Sequence, residues 1–176
     1  MKPWTALACL TLAAAPGALG PAAAQTLQEI DARQQAVVEA WEKTPLTVRR
    51  AVFVTAPAKI YGAFEERPSN SFKGGEPLYT YVEPLGYAWK KQADGTYAFG
   101  LTVDFTIKTP KGQVLGGQEK FLNYAQTSRY RNQELMVNMT LNVSGAPPGD
   151  YIVTYTLRDA HSPKTAVIEQ AFKIAN

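Results

Sequence analysis

Between positions 97 and 107 the chain alternates strictly. Tyr97, Phe99, Leu101, Val103, Phe105 and Ile107 are apolar, while Ala98, Gly100, Thr102, Asp104 and Thr106 lie between them. Successive side chains on a strand point to opposite faces, so a period of two makes one apolar and one mostly polar face of a half-buried strand. Such a face is stable only against a second apolar layer. The rest of the chain supplies that layer as more strands: Leu135, Val137, Met139, Leu141 and Val143 alternate in the same way, as do Tyr151, Val153, Tyr155 and Leu157.

The turn chemistry divides the remainder. Asp94-Gly95 tolerates positive φ at both residues and predicts a hairpin joining the strand that contains Trp89 to the 97–107 strand. Pro110-Lys111-Gly112, the 145–149 stretch with Pro147-Pro148, and the 159–164 stretch mark further turns. Strands are expected at 48–54, 59–64 (a looser one), 78–83 resuming at 87–91, 113–123, 135–143, 151–157 and 166–174. Polar loops are expected at 65–76 and 125–132. About seven to eight strands at this spacing predict an all-β, antiparallel sandwich over 46–176.

From 26 to 43 the period changes to that of a helix. Leu27, Ile30, Val37, Val38 and Trp41 form one stripe, interrupted by Gln34. Thr26 and Glu29 have the spacing of a capping box, and Pro45 ends the helix, giving an amphipathic segment over 25–45. Ahead of it, Lys2, an apolar run from Leu7 to Ala15 and Ala22-Ala23-Ala24 before Gln25 predict a signal peptide over 1–24, cleaved after Ala24. The apolar run is too short to span a bilayer. Export to the periplasm or the medium is therefore expected. Cys9, the only cysteine, falls inside that segment without the leucine pattern of a lipoprotein, so the mature chain is expected to have no thiol, disulfide or lipid anchor.

Removing 1–24 from 176 residues leaves 152, enough for one domain. Only Lys2 would be lost from 18 basic residues, leaving 17 against 15 acidic ones. A balance near +2 predicts neither nucleic-acid nor membrane-surface binding. No later stretch is apolar and long enough to cross a membrane.

Gly149-Asp150-Tyr151-Ile152-Val153 resembles the G-x-Y-x-C segment that opens the sixth strand of immunoglobulin-like domains, with Val153 in place of the cysteine. The resemblance implies a structural corner at Tyr151, whose hydroxyl would bond back to upstream backbone. It also implies that Trp89 is a buried core tryptophan. The stretch 72–174 as a whole is similar to the Ig-like or fibronectin-like domains exported to bacterial envelopes. That likeness carries over no active site.

The residues that bear chemistry are few. His161, the only histidine, sits in a predicted turn with no activated serine nearby, and a turn residue is its plainer explanation. With no mature cysteine and one histidine, no metal or cofactor is expected. Asp94, Asp104, Asp150 and Asp159 lack calcium-loop spacing. Glu65, Glu66, Glu76 and Glu83 are available for a carboxylate-based glycan hydrolase, but solvated loops and a cross-strand Lys or Arg partner for Glu83 explain them as well. Asn138 and Asn142 begin glycosylation sequons within a predicted strand.

Two groups are candidate binding residues. Tyr79 and Tyr81 share one strand face, with Tyr61, Tyr87 and Trp89 nearby in the predicted sheet, and would stack sugars if open to water. The helix stripe ending at Trp41 also needs an apolar partner, so the helix is expected to cover that face. Arg129, Tyr130 and Arg131 form a basic and aromatic loop cluster suited to an acidic glycan, lipid head group or protein tail, although a solvated surface accounts for them too. The expected function is a non-enzymatic binding or structural domain that engages another envelope protein. A carbohydrate-binding module and a carboxylate hydrolase are the alternatives.

Overall fold

A computed structural model describes residues 26–175. The signal-peptide reading of 1–24 lies outside them. The described chain is mostly β, with one helix, α1 (Leu27–Lys43), followed by β1 (Thr47–Val54), β2 (Ser71–Lys73), β3 (Leu78–Leu85), β4 (Lys90–Lys91), β5 (Tyr97–Lys108), β6 (Val114–Ser128), β7 (Val137–Leu141), β8 (Gly149–Asp159) and β9 (Thr165–Ala175).

The strands form two sheets. One has the order β1-β3-β7, all antiparallel. In the other, β2, β9, β8 and β5 follow one another; β4 continues along the β8 side of β5, and β6 pairs with its opposite side. All neighbours there are antiparallel except β2, which runs parallel to β9 and departs from the expected all-antiparallel pattern.

The alternation on β5 sets where the core lies. Phe99, Leu101 and Val103 are buried, and Phe105 and Ile107 pack against the same cluster. Leu78 and Val82 of β3, Val137, Met139 and Leu141 of β7, and Val153, Tyr155 and Leu157 of β8 complete it, so both sheets share one apolar interior. Each large side chain taken fully out of water contributes about 1.5–3 kcal/mol, and with no disulfide among the described residues this interior is the main source of stability. Gly100 lies so close to the β6 backbone that a Cβ there would strike the Tyr124 carbonyl oxygen. The hydroxyl of Tyr155 meets Thr80 Oγ1 at 3.3 Å, a polar bond between the sheets.

Several expected elements differ. The 59–64 segment is no strand: beyond single bridges between Ile60 and Ala63 and between Val54 and Glu66 it has no ladder. Pro57 and the positive φ of Gly62 break extended backbone, and the segment folds against the outer face of β3 instead. β2 lies inside the expected 65–76 loop, drawn to β9 by Phe72, which is buried against Phe53 and Phe172. β6 continues five residues past the expected end at 123, because pairing with β5 from Val103 to Tyr97 outweighs its polar composition.

α1 carries the expected capping box: Glu29 N–H donates to Thr26 Oγ1 at 3.3 Å and Thr26 N–H to Glu29 Oε2 at 2.9 Å. Its stripe is used only near the C-terminal end. Val38 is buried and Trp41 half-buried, whereas Leu27 is 73% and Val37 48% exposed. No helix among the described residues is long and apolar enough to cross a membrane.

Candidate functional site

An aromatic cluster at one end of the molecule positions two walls at once. Trp41 of α1 stacks on Trp89 (centroids 5.1 Å apart) and meets Tyr87 edge-on, and its indole N–H donates to the Tyr87 carbonyl at 2.8 Å. Tyr87 and Trp89 in turn donate, through the phenol O–H and the indole N–H, to the Asn132 carbonyl, each at 2.8 Å. The cluster thereby holds both the last turns of α1 and the 129–134 loop. Trp89 is half-buried in this role rather than the sealed core tryptophan expected of it.

A groove of about 710 Å³ runs between the two walls. Asp31, Gln34, Gln35 and Val38 of α1 line one side, and Arg129, Tyr130, Arg131, Gln133 and Glu134 the other, with Tyr97 beneath. The Arg131 guanidinium lies over the Tyr97 ring, 4.7 Å from its centroid, an attraction of about 0.5–1 kcal/mol at an exposed site. Tyr130 is 79% exposed. Among the described residues neither Arg129 nor Arg131 joins an ion pair. Their N–H donors point outward in the guanidinium plane, the geometry that meets a carboxylate or phosphate. The loop cluster read from sequence thus sits in a built groove, with helix residues that sequence reasoning missed. The signal was present: Gln34, the break in the apolar stripe, is a wall of this groove.

Tyr79 and Tyr81 lie elsewhere, on the outer face of β3. That face is covered, but by the 55–65 segment and not by α1. Phe64 stacks on Tyr81 with centroids 4.3 Å apart, and both amide ends of Asn138 bond to Ala58 (N–H to Oδ1 at 3.0 Å, Nδ2 to the carbonyl at 2.8 Å). Tyr81 is fully buried and Tyr79 half-buried, so Tyr81 has no open ring for a sugar. Burial pushes the Tyr81 phenol above its usual range. Asn138, one of the two sequon asparagines, is occupied in this contact.

The carboxylates are structural where the structure engages them. Glu83 is buried and accepts from the hydroxyls of Tyr81 at 2.9 Å and Tyr61 at 3.4 Å; Arg50, opposite it in the ladder, turns toward Phe64, which replaces the expected cross-strand ion pair. The Lys73 backbone N–H, with Arg67 at 2.7 Å, holds the Glu76 carboxyl below its usual range. Glu65 accepts from Thr55 Oγ1. Asp159 accepts from Ala88 N–H, His161 N–H and Ser162 Oγ–H, and tethers the β8–β9 turn to the 86–89 segment. No group of three His, Cys, Asp or Glu among the described residues is placed to hold a metal ion.

At the opposite end Tyr151 donates to the Pro147 carbonyl at 2.6 Å. Beside it an apolar cavity of about 390 Å³ is lined by Ile107, Leu115, Val143, Pro147, Tyr151 and Phe172, among others.

No family model matches the chain, and no curated protein matches it. Among solved structures the chain is similar to a family 123 glycoside hydrolase from Clostridium perfringens, studied for glycolipid glycan hydrolysis, at a TM-score of 0.38 and 9% identity over 76% of this chain. It spans 28% of that protein. A likeness this distant carries over neither fold nor activity.

Proposed function

We propose that the chain is an exported, non-enzymatic binding domain of Ig-like or fibronectin-like build, and that the groove between α1 and the 129–134 loop recognises an acidic segment of another envelope protein. The long strands taken in order divide as first, second and fifth in one sheet, and seventh, sixth, third and fourth in the other, which supports an Ig-like sandwich. The bond from Tyr151 to Pro147 supports it too. Export rests on the 1–24 segment, and processing after Ala24 predicts an N-terminal sequence beginning at Gln25.

The observation that carries the binding role is the pinned groove, in which neither Arg129 nor Arg131 joins an ion pair among the described residues. The walls share one aromatic support, so little ordering is left to be done on binding. In an envelope pull-down, Arg129→Ala with Arg131→Ala is expected to release partners that the unaltered protein retains, and those partners should dissociate as salt is raised. Leu115→Ala, at the far end, should leave them bound. Retention of every partner by the double variant refutes the groove; protein taken from the periplasm or medium that still begins at Met1 refutes processing after Ala24.

A further inference from the structure

The groove between α1 and the 129–134 loop holds charges of both signs. Arg129 and Arg131 stand on the loop wall, but Asp31 lies on α1 and Glu134 follows the arginines along the loop, so two guanidinium groups share the groove with two carboxylates and the formal charges cancel. Among the described residues none of these four joins an ion pair. Elsewhere the chain brings such groups together directly, as Arg67 with Glu76 at 2.7 Å and Arg158 with Asp104 at 2.8 Å. Here cations and anions line one open space without meeting, an arrangement that a ligand carrying both signs completes.

α1 sets the scale. Asp31, Gln34 and Val38 recur at helical spacing on one face, Asp31 toward the exposed start of the helix and Val38 buried at the inner end. The rise from Asp31 to Val38 is about 10 Å, which an extended peptide covers in about three residues. The amides of Gln34 and Gln133, one on each wall, each offer a donor and an acceptor, as a peptide backbone requires. A stretch composed only of acidic residues would satisfy Arg129 and Arg131 but set its other carboxylates beside Asp31 and Glu134, where like charges repel and cost affinity.

We infer that the segment recognised in this groove carries both charges: an acidic residue that meets Arg129 and Arg131, and a lysine or arginine within about three residues of it that meets Asp31 and Glu134. Asp31 and Glu134, given that the groove is the peptide site proposed above, are then specificity-determining residues. They admit a mixed segment and reject a purely acidic one.

Selection from a library of capped hexapeptides built from Glu, Lys, Gln, Ser and Val tests this directly. Peptides retained by the unaltered full chain should pair Glu with Lys within about three positions. Asp31→Asn with Glu134→Gln changes two exposed residues and should leave the circular dichroism spectrum unaltered. That variant should still select Glu, lose the enrichment of Lys, and bind a retained mixed peptide about three- to tenfold more weakly. Arg129→Ala with Arg131→Ala should instead lose the enrichment of Glu. Preference of the unaltered chain for peptides bearing Glu without Lys, or Lys enrichment that survives Asp31→Asn with Glu134→Gln, overturns the mixed-charge segment; the groove still stands if Glu enrichment disappears with the arginines. Absence of Glu enrichment, or Glu enrichment indifferent to the arginine variant, removes the groove as a site for acidic segments and the mixed-charge segment with it.

Discussion

Lys164 closes the end of a helix that lies far from it in sequence. Its ammonium donates to the carbonyls of Thr44 at 2.7 Å, Gly86 at 2.8 Å and Glu42 at 3.1 Å. Carbonyls at a helix C-terminus have no partner within the helix, and the negative end of the dipole favours a cation there. Gly86 makes the site possible, because it holds φ 77 and a Cβ would collide with the Pro45 carbonyl. Lys164→Met keeps the aliphatic stem and strands the carbonyls, so a loss of about 2 kcal/mol is expected from the urea midpoint. Nothing in the sequence marks Lys164 for this, since it stands in a turn where lysine is ordinary. Tyr81 shows the opposite failure. It alternates with Leu78 and Val82 as an outward residue should, but periodicity cannot tell a strand with one wet face from one covered on both sides.

At the scale of elements, α1 is held by one end. Trp41, Val38 and Lys164 secure its last turns, while Leu27, Ile30 and Val37 remain exposed. Amide exchange is therefore expected to be slow near Trp41 and to approach free-peptide rates toward Leu27. Trp41→Ala is expected to cost about 2–3 kcal/mol and to speed exchange in the 129–134 loop as well as in α1, because the same aromatic cluster supports both. Uniform protection along α1, or a loop unaffected by the substitution, would contradict this account. The helix and its cap were legible because a capping box and a 3.6-residue period are local; which part of its stripe is buried depends on Tyr87 and Trp89, which are not.

Across the whole molecule, three buried phenols tie stability to alkaline pH. Burial raises Tyr155 to about 12 and pushes Tyr87 higher still, and Tyr81 is raised for the same main reason. The fold keeps these protons while the unfolded chain releases them above about pH 10. Stability is then full below pH 10 and declines as pH rises toward 12, by up to about 1.4 kcal/mol per pH unit for each of Tyr87 and Tyr155, with Tyr81 adding in the same direction. Urea midpoints measured against pH, alongside phenolate absorbance, should show these tyrosines ionising only as the chain unfolds. Tyr87→Phe gives up the bond to Asn132 at every pH but should flatten the alkaline decline.

Alternation between near neighbours determined β5, β7, β8 and β9 and with them the all-β class, because the face a strand side chain takes follows from backbone geometry alone. The capping box determined where α1 begins. Only the tertiary structure decided that the 55–65 segment covers β3, that Phe72 draws a short strand onto β9, and that α1 and the 129–134 loop enclose a groove. Each of those outcomes joins residues well separated along the chain, where a local pattern allows several arrangements and the complete packing and hydrogen-bonding of the interior admits one.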